Sequence, residues 1–125
     1  MERERIMHFA LDVLGCGCDH GVFNSIDVDE NVMLQCGIML SKKIVIGRRL
    51  LIYIAQADSC APGDVGSVVA DGLAERDGKG YNRLRLVIVA PMDAGLQKVY
   101  SDAFSEAAVK DEKCHIHVIS PGDAM

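Results

Sequence analysis

The sequence predicts an α/β fold: an N-terminal helix, a hairpin-like β segment, then a βαβαβ unit, giving a mixed, mainly parallel sheet in one layered domain over residues 1–125. Three observations predict it. Short runs rich in Val, Ile and Leu recur at 50–55, 84–90 and 115–119. Stretches with helical periodicity, at about 64–76 and 93–109, separate those runs. The chain of 125 residues is half apolar but has few aromatics and no Trp, which suits one core built from aliphatic side chains.

The first element expected is an amphipathic helix over residues 2–14. Ile6, Ala10 and Val13 recur at helical spacing, Met7 and Leu14 widen the apolar stripe, and Glu4, His8 and Asp12 share the other face. Gly15 ends the pattern, as a glycine just past a helix commonly does. Between 31 and 56 the apolar runs are short, broken at Gly37, at Ser41-Lys42-Lys43 and at Gly47-Arg48-Arg49, and β-branched toward the end. This predicts one or two antiparallel strands and then a strand at 50–56. A helix over 30–40, capped by Asp27 or Asp29, competes with that reading, and Gly37 counts against it by about 1 kcal/mol relative to Ala.

Farther along, strand, helix, strand, helix and strand imply two right-handed crossovers and three parallel strands. In the second helix Leu96, Val99, Tyr100, Ala103, Phe104 and Ala107 form one continuous stripe. The strands at 50–55 and 84–90 are almost continuously apolar, as buried strands are. By contrast Cys114-His115-Ile116-His117-Val118 alternates, as an edge strand with one wetter face does.

Composition argues against several classes of function. The net charge of -5 and the absence of any Lys/Arg block give no electrostatic footprint for nucleic acid or anionic lipid. The mixed-charge start, Met-Glu-Arg-Glu-Arg, is unlike a secretory signal, and no apolar stretch reaches the roughly 18 to 20 residues of a membrane span. Five cysteines in such a chain read as reduced thiols, so a soluble, cytoplasmic protein is expected.

The densest chemistry lies in Gly15-Cys16-Gly17-Cys18-Asp19-His20, where two thiols, a carboxylate and an imidazole follow one another on a backbone that glycine leaves free to bend. Cys16, Cys18 and His20, completed by Cys36 or Cys60, supply ligand types that suit zinc or an iron–sulfur cluster. The spacing matches no standard zinc or two-residue-spaced redox motif, and a helix C-terminus raises a thiol pKa rather than lowering it. Packed as small apolar side chains, the same cysteines would simply close a turn.

Two further groups draw attention. His115 and His117, at i and i+2 of a strand, share one face and could meet a metal there, although plain alternation produces the same pair. Asp58, Ser59, Cys60, Asp93 and Asp123 follow the ends of the parallel strands, on the rim where open α/β folds place ligands; caps and turns also favour aspartate. The loop at 58–64 carries no phosphate-binding glycine pattern.

The leading expectation is a small metal-binding or thiol-handling accessory protein using Cys16, Cys18, His20 and Cys36. The alternative is a small-ligand-binding domain or enzyme with its site at the strand-end rim, on Asp58, Ser59, Cys60 and Asp93. A third is a homodimeric interaction module without chemistry, suggested by the apolar segment at 32–40.

Overall fold

The computed structural model describes residues 26–91, 94–108 and 114–120. The expected N-terminal helix, with Cys16, Cys18 and His20, lies outside the described residues, as do Asp93 and Asp123. The described part is an α/β arrangement: a mixed five-stranded sheet and two helices.

Strand β1 (Ile26–Met33) and strand β2 (Met39–Ile46) form an antiparallel hairpin, registered from Ile26 opposite Ile46 to Met33 opposite Met39. The segment that competed as a helix is therefore extended, and the reason is visible at its middle. Gly37 has φ of 92°, a left-handed value that other residues rarely adopt. The turn closes through Leu34 N–H donating to Ile38 O at 2.9 Å and Gly37 N–H to Leu34 O at 3.0 Å. Strand β3 (Leu50–Gln56) pairs antiparallel with β2 after a turn in which Gly47 and Arg48 are successively left-handed, a twist that matches the flanking strands.

Helix α1 (Val65–Lys79), entered through a 3₁₀ turn at Pro62–Asp64, leads to β4 (Arg83–Val89); helix α2 (Ala94–Ala108) leads to β5 (Cys114–Ile119). Strands β3, β4 and β5 are mutually parallel, and the sheet order follows the chain from β1 to β5, so β5 is an edge strand. Both helices lie on one face, packed against each other. Val65, Val68, Val69 and Tyr100 meet Leu51, Tyr53, Ala55, Leu84, Leu86, Ile88 and Cys114 there. The approach of α1 is close at Gly72, where a Cβ would stand 2.6 Å from Leu84 Cδ2 and 3.2 Å from Tyr53 Cε2.

The α2 stripe is narrower than its periodicity predicts. Tyr100 is buried and Leu96, Ala103 and Phe104 are partly so, but Val99 is 48% exposed. Val99 instead lines a groove of about 540 Å³ with Pro62, Gly63, Gly66, Asp102, Ala103 and Glu106, where the start of α1 stands apart from α2.

The opposite face of the sheet is buried as well: Ile44, Ile46, Leu50, Ile52, Ile54 and Val87 are at most 3% exposed. Burial of both faces explains why β3 and β4 read as continuous apolar runs rather than alternating ones. A sheet with two covered faces leaves few places for charge, so each charged side chain that does enter it is conspicuous.

Candidate functional site

Because β2 runs antiparallel to β3, the β1–β2 turn at 34–38 comes to the same end of the sheet as the loop after β3, the rim expected to hold ligands. Of the residues expected there, Asp58 and Ser59 are exposed at the tip of the turn after β3, which Ser59 N–H and Cys60 N–H close on Gln56 O. Cys60 is fully buried. Tyr100 Oη donates to its carbonyl at 2.6 Å, and burial, then the charge of Asp64, pushes its thiol pKa up to about 11. The Cys60 carbonyl thus joins the loop to α2, while its thiol stays protonated, in a setting that suppresses nucleophile and thiolate ligand alike.

Cys36 differs, being exposed in the β1–β2 turn. Its backbone N–H donates to Asp71 Oδ2 of α1 at 2.9 Å, and desolvation, then the hydrogen bond and charge of Asp71, raise its thiol pKa. The Asp71 contact ties the turn to the helix. Behind it opens a groove of about 410 Å³ between the turn and α1, with Val32, Leu34 and Gln35 on one wall and Asp71 and Ala74 on the other.

Its floor is polar. Lys43 and Tyr53 are cross-strand neighbours on β2 and β3, and both reach Glu75, one turn beyond Asp71 on α1. Tyr53 Oη donates to Glu75 Oε1 at 2.5 Å, while Lys43 Nζ and Lys79 Nζ donate to Oε2 at 2.9 and 3.1 Å. Burial pushes the Glu75 carboxyl up, but these three donors outweigh it and hold the pKa below its ordinary value. Desolvation first, then the bond to Glu75, raises the Tyr53 phenol, so it remains a donor. Lys79 is held protonated chiefly by its hydrogen bond to Glu75. The arrangement presents fixed donors and acceptors in a small concave space, which is what recognition of a polar molecule needs.

A second charged constellation lies on the other face. His115 and His117 share that face, as expected, while Cys114 points into the helix-side core. Their neighbour is not a further metal ligand but Arg85 of β4, beside His115 in register, with Nη1 3.4 Å from His117 Nε2. Arg85 is 8% exposed, and its Nε has no hydrogen-bond partner among the described residues. Burial, then the positive charges of Arg85 and His115, lowers the His117 pKa to about 4. The imidazole is therefore neutral at physiological pH and accepts from the guanidinium. Among the described residues no group of three or more His, Cys, Asp and Glu is placed to hold a metal ion.

Tyr53, Glu75, Lys43, Asp71 and Arg85 were not among the residues picked out by the sequence. Arg85 carried a usable signal, a cation inside the apolar run Leu84-Arg85-Leu86. The Glu75 cluster carried none, because its members are 10 and 22 positions apart along the chain and meet only through strand register. None of the described helices is long and apolar enough to cross a membrane. No family model, no curated protein and no solved structure matches the chain.

Proposed function

We propose that this domain binds a small polar ligand in the groove between the β1–β2 turn and α1. The observation that carries the reading is the convergence of Lys43, Tyr53 and Lys79 on Glu75 at the floor of a cavity of about 410 Å³. That volume lies in the range of small-molecule sites, and the polar groups are already held by one another, so binding need not order them. Lys79 is the adaptable member: its side chain is 56% exposed and can exchange Glu75 for an acceptor on the ligand. Asp71, two turns before Lys79 on the same α1 wall, supplies an acceptor for a ligand donor.

A thermal-shift screen of small polar metabolites against the full chain tests this. The expected result is a compound that raises Tm in the wild type, loses that effect in Lys79→Ala and Asp71→Asn, and keeps it in Asp102→Asn, whose side chain lines the other groove. A screen without hits, or hits that all three variants retain, overturns it.

The metal reading is a second proposal, favoured by one observation: Cys36, the ligand proposed to complete Cys16, Cys18 and His20, is exposed at the rim rather than enclosed. Such a site takes zinc or an iron–sulfur cluster in a cytoplasmic, reducing setting. Metal analysis and an absorption spectrum after anaerobic purification, with Cys16→Ser/Cys18→Ser alongside, are its test. Metal content at background in the wild type sinks it.

A further inference from the structure

Buried arginine is ordinarily paired with a carboxylate, because removing a full charge from water costs several kcal/mol that only a counter-charge and good hydrogen bonds repay. Arg85 is more than nine-tenths buried, yet among the described residues its hydrogen-bond contact is a neutral imidazole at 3.4 Å, and its Nε donor has none. The charges around it make this worse rather than better. Burial first, and then the charge of Arg83, two residues before it and hence on the same face, lowers its pKa, against a smaller opposing influence of Cys114. His115 and His117 stand on the adjacent edge strand. A guanidinium so placed is a donor set waiting for an acceptor with negative charge.

We infer that the sheet face opposite the helices carries an oxoanion-binding site centred on Arg85. The occupant is a carboxylate or phosphate group of a small ligand, taken on the guanidinium edge that includes Nε, with His117 beside it. Nη1 is already directed at His117 Nε2, so the Nε edge is the part of the planar fork left for two parallel N–H···O bonds, the geometry arginine uses for both groups. With Nε2 accepting, the His117 ring carries its proton on Nδ1. His115 and His117 keep part of their surface in solvent on edge strand β5, where a small anion can approach. This site lies across the sheet from the groove and stands or falls independently of it.

Titration of the full chain at pH 7 with inorganic phosphate and, separately, with acetate, each matched against chloride at equal ionic strength, tests the inference by Tm and by the His117 ring resonances in NMR. At least one oxoanion is expected to raise Tm by several degrees at millimolar concentration and to shift His117. Which one does so assigns the group. In Arg85→Met both responses disappear, while Tm without ligand is no lower than in the wild type, because an uncompensated buried charge has been removed. Arg85→Lys keeps the charge without the fork and is expected to bind at least tenfold more weakly; it carries the test alone if Arg85→Met fails to fold. Equal responses to phosphate, acetate and chloride in the wild type overturn the site, as does an Arg85→Met or Arg85→Lys protein that binds like the wild type.

Discussion

Glu75 and Arg85 are each a charge drawn close to the sheet, one on either face, and the fold handles them in opposite ways. Glu75 receives three hydrogen bonds, two of them from lysines, and its pKa is held down in consequence. Among the described residues Arg85 has no acid beside it, one long contact to an imidazole and an idle Nε. Satisfying a buried charge fully makes it part of the structure; leaving it unsatisfied is tolerable only where something else gains by it. The two faces therefore respond differently to the same kind of substitution.

Glu75→Ala has the largest expected effect. It strands the Tyr53 hydroxyl and leaves Lys43, only 16% exposed, without a counter-charge, which should cost about 2 to 4 kcal/mol in urea unfolding at pH 7. Glu75→Gln keeps acceptors but not charge and should lose roughly half as much. A loss below about 0.5 kcal/mol for Glu75→Ala would show that the groove is wet enough to solvate Lys43 unaided, erasing the contrast with Arg85.

Acid separates the faces by pH window. The folded pKa of His117, about 4, lies below the ordinary value of 6.5, so the unfolded chain takes up this proton first as pH falls. Stability is thus unaffected by His117 above about pH 6.5 and declines between there and about pH 4, by roughly 1 to 3 kcal/mol after allowing for partial exposure. Glu75 behaves otherwise: its pKa is depressed, so its contribution is intact above 4.5 and is lost only below that. In His117→Asn the decline between pH 6.5 and 4.5 should flatten while the lower one persists. A wild-type stability curve already flat across the upper window would sink the His117 assignment.

The same contrast marks what was legible in the sequence. Apolar runs at 50–56 and 84–90 announce buried strands because both sheet faces are covered, and the alternation at 114–118 announces an edge because β5 is one. Helix periodicity over 65–79 and 94–108 is local and so readable, but it could not show that Val99 falls outside the contact between the helices. The rim was foreseeable as a place, since strand direction follows from crossovers. Its occupants were not. Cys60 looks reactive in a loop sequence and is enclosed, because Tyr100, 40 residues away, docks on its carbonyl. The Lys43–Tyr53 pair exists only through the antiparallel register of β2 with β3, and Glu75 joins it only because Gly72 lets α1 sit against Leu84 and Tyr53.

The smallest expected effect discriminates within the satisfied face. Lys43 and Lys79 donate to the same oxygen, Glu75 Oε2, at 2.9 and 3.1 Å, but their side chains are 16% and 56% exposed. Distance alone would rank them equal. Solvent screening does not: Lys79 follows Glu75 by four residues on α1, an exposed helix pair of the kind worth about 0.3 to 0.5 kcal/mol and weakened by salt. Lys43 reaches across from β2, holds α1 to the sheet and buries its stem, so Lys43→Ala should cost about 1 to 2 kcal/mol with little salt dependence. Unfolding of both variants at low and high NaCl measures the difference. Equal, salt-sensitive losses would mean that Lys43 is solvated like a surface lysine, and the floor of the groove would then be open water rather than a preorganised site.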